Sequence, residues 1–192
     1  MASFHREQRL LASLNHPGVA QVSDAGETAD GLDYVVVEYI DGPSITRYAA
    51  EYELSWRDRV ELIIRACEAV QHIHATGVLH RDIKPANILV SHDHGTPQPK
   101  VIDFGAATFA QADALLATQH PRFIGTIAYM APEQLNSRDR ADARCDVYSL
   151  GLILHELLSG GHPFQTDAIG LGELVRRIGG GSVAGVATHA RP

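Results

Sequence analysis

The run His80-Arg81-Asp82-Ile83-Lys84-Pro85-Ala86-Asn87 constrains the fold most, because it is mostly polar yet sits between the strongest helical repeat and a pair of apolar strands. Upstream, Val60, Ile63, Ile64, Cys67 and Val70 recur at helical spacing and predict a helix over residues 55–76 with one buried face. Ser55 with Asp58 three residues on resembles a capping box, and Gly77 suits the position just past the helix end. Downstream, residues 88–90 and 101–102 read as short strands around a polar turn over 92–99. A polar loop held between a helix and a strand pair is where a scaffold commonly carries binding or catalytic groups.

The flanking pattern extends this reading. Residues 4–14 suit a helix that breaks at Asn15-His16-Pro17-Gly18. Residues 19–22 and 34–40 read as strands joined near Asp30-Gly31, and Asp41-Gly42-Pro43 ends the second. A long irregular segment runs from 103 to 132. Residues 146–158 predict a helix apolar nearly all round, hence deeply buried, and 171–178 a short amphipathic one. Residues 179–192 are Gly- and Ala-rich and read as a frayed tail. The order helix, strands, then mostly helices is α+β, with a partial small sheet lobe and a larger, mostly helical lobe.

Composition narrows the functions. The net charge of −7 argues against a nucleic-acid partner or an anionic membrane surface. No apolar run approaches the about 18 residues of a membrane span. The longest, residues 150–158, contains His155 and Glu156. The first ten residues lack a signal-peptide pattern, so a cytoplasmic chain is expected. Two cysteines make no disulfide framework, and Cys67 is expected in the core. The 11 histidines show no zinc spacing.

Three segments carry the chemistry in a fixed order: residues 80–87, then Asp103-Phe104-Gly105, then Ala131-Pro132-Glu133. Together they resemble the Hanks-type protein kinases, in the style of bacterial Ser/Thr kinases, over roughly residues 4–178. The resemblance implies a protein-kinase-like fold, with residues 1–40 a remnant of the small lobe and 41–178 the large lobe. It implies transfer of the ATP γ-phosphate to a Ser/Thr hydroxyl of a protein substrate, with Mg²⁺. Such transfer asks a protein mainly for positioning and charge neutralisation. Asp82 is expected to accept the substrate hydroxyl proton as catalytic base, and Lys84 to face the γ-phosphate. Asn87 and Asp103 supply the oxygens a hard cation prefers.

The resemblance assigns further positions. Glu7 matches the helix glutamate that pairs with an ATP-anchoring lysine. Glu38 and Ile40 lie in the adenine-binding hinge behind Val37, and Leu89 packs under adenine. Leu11, Val22, His80 and Phe104 form a stacked apolar column, and Asp146 holds the catalytic-loop backbone. Thr126 is expected to touch Asp82 and Lys84. Arg81 is the charge that a phosphorylated loop residue would neutralise, with Thr118 the first candidate and Thr108 the second.

The family pattern also breaks. Only six residues precede Glu7, so the Gly-rich loop and the anchoring lysine are absent, and the sole lysines are Lys84 and Lys100. The arginine that pairs with Glu133 is also missing, which leaves Arg176 or Arg177 as substitutes. The expectation is a piece of an active kinase, impaired as written. The alternatives are a non-catalytic kinase-like binding module and, less favoured, a small-molecule phosphotransferase.

Overall fold

A computed structural model of the chain describes residues 14–93, 95–103, 125–136, 142–164 and 169–180. Strands β1 (Val22–Glu27) and β2 (Asp33–Val37) pair antiparallel, and β3 (Ile88–Asp93) and β4 (Thr96–Val101) form a second hairpin. The helices are α1 (Ile45–Glu51), α2 (Trp56–Ala75), α3 (Pro132–Asn136), α4 (Ala143–Ser159) and α5 (Leu171–Gly180). The mixed α/β architecture agrees with the expected class. Among the described residues, no helix is long and apolar enough to cross a membrane. Residues 4–13 of the expected first helix and most of the tail lie outside the described residues, and Leu14, its expected last residue, is not helical.

Helix α2 forms where its periodicity put it. The Ser55 hydroxyl accepts from Asp58 N–H at 3.3 Å and donates to the Asp58 carboxylate at 2.6 Å. Gly77 follows the end with φ of 81°, a conformation that favours glycine. The buried face differs from expectation. Leu62, Ile63, Ala66, Ala69, Val70 and Ile73 turn inward, whereas Ile64 and Cys67 turn to solvent. The physical reason is steric. Helix α2 packs against both α4 and β4, and Ala66 and Ala69 permit an approach that bulkier side chains would block.

The strand expectations shift as well. Residues 19 and 20 are not part of the small hairpin: Val19 bridges Val101 in parallel, and both Val19 and Ala20 are buried. The hairpin starts at Val22 and turns through Gly31 at φ of 78°. β3 and β4 each run into the segment expected as a polar turn, pairing as far as Asp93 and Thr96. Helix α4 starts three residues before Asp146, capped by Asp142, whose carboxylate accepts from Arg144 N–H. Seven of its residues are buried, yet Val147 is exposed, so its burial is less complete than its composition suggests. Helix α5 extends through Gly180, past the expected boundary.

Two apolar clusters frame the connection between strands and helices. One gathers Ile45, Tyr48, Ile63, Val70, Ile83, Ile88, Val101 and Ile153, and the other Ile127, Ala128, Leu152, Phe164, Leu174 and Ile178. The run 80–87 lies along the first, and the residues that follow Thr126 lie in the second.

Candidate active site

The catalytic-loop candidate owes its shape to alternation. Ile83 is buried in the first core, so its neighbours Asp82 and Lys84, two residues apart in extended chain, share the opposite side. Their side chains meet there, with Lys84 Nζ donating to Asp82 Oδ2 at 2.8 Å. The same ammonium donates to Thr126 Oγ1 at 3.2 Å, which brings the far segment to the loop. Thr126 therefore meets Lys84 as expected and reaches Asp82 through it.

Asn87 closes the loop from the other end. Pro85 to Asn87 make one 3₁₀ turn, and Asn87 is buried. Its amide Nδ2 donates to the Asp82 main-chain oxygen at 2.8 Å and to Asp82 Oδ2 at 3.0 Å. With both N–H groups committed, Oδ1 is the atom left to face a cation. Ile102 N–H donates to Asn87 O at 2.9 Å, and the exposed Asp103 follows with φ of 63°. A left-handed aspartate is strained, and such strain concentrates at functional sites. An amide oxygen and a carboxylate on adjoining segments form a hard, oxygen-only donor set, which fits Mg²⁺.

Asp146 holds the loop from beneath. Fully buried in the first turn of α4, it accepts from His80 N–H at 2.9 Å, Arg81 N–H at 2.7 Å and His74 Nε2 at 2.7 Å. These bonds fix Arg81 at φ of 64°, a left-handed conformation that would otherwise be unfavourable. His80 is also fully buried. Its Nε2 lies 3.0 Å from the Ile102 carbonyl, while Nδ1 accepts from Asp82 N–H at 3.3 Å. This pattern calls for the tautomer with the proton on Nε2. Burial holds the His80 imidazole below its ordinary titration range, although Asp146, the Ile102 carbonyl, Asp82 and Asp103 pull the other way.

Several contributors carried no sequence signal. Gln134 donates to Arg81 O at 3.0 Å and accepts from Ala131 N–H at 2.9 Å, which ties the Ala131-Pro132-Glu133 segment to the loop. His74, weighed only as a metal ligand, instead anchors Asp146, and His72 stacks on His16. Arg176 and Arg177 both close on Glu173 at 2.8 Å, so neither is the expected substitute partner of Glu133. Lys100, left without a role by the sequence, pairs with Glu38.

The hinge candidates separate. Ile40 is buried, Tyr39 is 86% exposed, and Leu89 is half-buried and bridges Ser44. Val22 and His80 of the proposed column are buried. Glu7, Leu11, Phe104, Gly105, Thr108 and Thr118 lie outside the described residues.

A buried aspartate pinning a left-handed loop, and a carboxylate held by a lysine and an asparagine beside a hard-donor pair, suit a phosphoryl-transfer scaffold. The sequence matches the protein kinase domain family over residues 1–179, and the chain belongs to that family. It is 42% identical over 169 residues to the serine/threonine-protein kinase PknB of Mycobacterium leprae, covering 86% of this chain and 26% of that protein. It is 41% identical over 169 residues to PknB of Mycolicibacterium smegmatis, with the same coverage. The probable serine/threonine-protein kinase PknB of Bifidobacterium longum is 35% identical over 177 residues, covering 88% of this chain and 25% of that protein. The chain thus spans about a quarter of the length of these curated relatives.

Proposed function

We propose that this chain is the catalytic portion of a protein serine/threonine kinase, with Asp82 as the base toward a substrate hydroxyl. One observation carries the reading: the Asp82 carboxylate is held by Lys84 Nζ and Asn87 Nδ2, while Lys84 also reaches Thr126 at the far wall. Two charge-directed bonds fix the carboxylate, so it meets an incoming Ser or Thr hydroxyl without rearranging. Lys84 presents its ammonium on the same side, where charge develops on the transferred phosphoryl group. Asn87 Oδ1 and the Asp103 carboxylate would hold Mg²⁺, which would neutralise the phosphate oxygens of ATP. Glu38, Ile40 and Leu89 contribute the adenine end, and Glu7 the helix side of the phosphates. Arg81 and Thr118 are the regulatory pair, with Thr126 at the substrate wall. We read residues 1–40 as small lobe and 41–178 as large lobe, acting on protein substrates in the cytoplasm. The negative net charge supports the absence of a nucleic-acid partner.

The test is transfer from labelled ATP, run on residues 1–192 and on the same chain extended with a Gly-rich loop and a lysine-bearing strand. The extended chain is expected to phosphorylate Ser/Thr substrates, and Asp82→Asn to lower that rate by about 10²-fold or more. Near-normal turnover in Asp82→Asn would remove the assignment. The second reading, a non-catalytic binding module, draws on β2, whose apolar residues Tyr34, Val35, Val36 and Val37 are exposed on both of its sides. Its signature is a partner that binds Asp82→Asn as tightly as the unaltered chain, with no transfer by either.

A further inference from the structure

Outside the Asp82 cluster, an ionic contact joins two parts of the chain 62 residues apart, Lys100 of β4 and Glu38 just after β2. Lys100 Nζ lies 2.5 Å from Glu38 Oε1. Glu38 Oε2 accepts from Gln21 N–H at 3.2 Å, and Glu38 N–H donates to Gln21 O at 2.8 Å. Both oxygens of the carboxylate are thus used, one on each neighbouring segment.

The same three segments interlock through their main chains. Ala20 N–H donates to Val101 O at 2.9 Å, and Val101 N–H to Gly18 O at 2.8 Å. Ile102 then donates to Asn87 O and accepts from His80. A continuous path therefore runs from Glu38, through Lys100 and Val101, to the residue just before Asp103. The Lys100 side chain is about one-fifth exposed and the Glu38 side chain about two-fifths, so the pair is shielded from solvent on the lysine side only.

We infer that Lys100 is a positioning residue, which clasps the segment after β2 to β4 by holding the Glu38 carboxylate. Lys100 touches no reacting group. It fixes Glu38, and Glu38 fixes Gln21 and its own main chain, which is the adenine-facing segment in the function proposed above. The effect on nucleotide rests on that reading, whereas the clasp itself does not.

The Gln21 amide is a direct reporter, because its N–H donates to the Glu38 side chain that Lys100 orients. Amide hydrogen exchange on the nucleotide-free 192-residue chain is compared with Lys100→Met, Lys100→Arg, Glu38→Gln and the double variant Lys100→Met/Glu38→Gln. In Lys100→Met, exchange at Gln21 and Glu38 is expected to quicken by about 2- to 5-fold, the range of a half-shielded ion pair. Lys100→Arg should retain protection. The double variant should be no faster than Lys100→Met, because both changes break one contact. Unchanged exchange at these two amides overturns the clasp, as does a rise spread evenly over the chain or a strictly additive double variant. Titration with ADP and Mg²⁺ forms the second arm. Where the unaltered chain binds ADP, Lys100→Met should weaken binding by a similar factor, and unaltered affinity would overturn the positioning role. Where the unaltered chain binds no ADP, the titration is run on the chain extended with a Gly-rich loop and a lysine-bearing strand, and unaltered affinity of Lys100→Met there overturns the positioning role. An extended chain that binds no ADP overturns the kinase reading while the exchange arm still decides the clasp.

Discussion

His80 ties stability to pH. Its folded-state titration is pushed below the ordinary 6.5 by burial. Above pH 6.5 the neutral imidazole is right for both folded and unfolded chains. As pH falls below 6.5, the unfolded chain takes up a proton that the folded chain resists, so stability declines. Urea midpoints at pH 7.5 and 5.5 are expected to differ, and the difference should shrink in His80→Asn. At the proposed metal pair, Asn87 and Asp103, Asp103→Ala should abolish Mg²⁺-dependent nucleotide binding. Asn87→Ala should weaken binding less but depress transfer more than metal loss alone explains, because its amide also holds Asp82. Nucleotide titration with and without Mg²⁺, beside transfer rates, separates the two variants; equal effects would contradict the division of labour. These residues were legible in sequence because loop chemistry demands particular side chains at fixed spacing. The roles of His74, Gln134 and Lys100 were not, because each bonds to a residue more than fifty positions away.

Elements obey a looser code. Helix α2 was readable from periodicity and from its Ser55 cap, but its inward face was not. Periodicity registers large apolar side chains, whereas a close helix contact selects small ones such as Ala66 and Ala69. The seven-residue α1 is too short to show a repeat and left no sequence signal. The link between β2 and α1 depends on one glycine. A Cβ placed on Gly42 would sit 2.0 Å from the Val90 carbonyl oxygen, beside the bond from Val90 N–H to Pro43 O. Backbone cannot yield as a flexible side-chain tip does. Gly42→Ala should therefore cost about 1–3 kcal/mol and displace the Ser44 and Leu89 bridge. Chemical denaturation measures the loss, and a variant as stable as the original would show that β3 moves aside freely.

For the whole molecule, the small hairpin is the weak quarter. Leu32 is 67% exposed, and Tyr34 through Val37 show apolar side chains to solvent along β2. An apolar strand of this kind favours association with other chains. Residues 1–192 expressed alone are thus expected to aggregate at moderate concentration. Light scattering should improve in a Val35→Lys/Val37→Lys variant, and equal scattering would acquit this face. The loop around Ile83 carries a different consequence. Asp82 and Lys84 share a side only because one residue separates them and that residue is anchored in the core. The site therefore obeys a rule of parity. Inserting a single residue between Asp82 and Ile83 leaves composition and charge almost untouched, yet it offers the isoleucine's berth to a different side chain or turns the carboxylate away from the ammonium. Substitutions at this loop can be graded by chemistry, but a change in length there has no mild form.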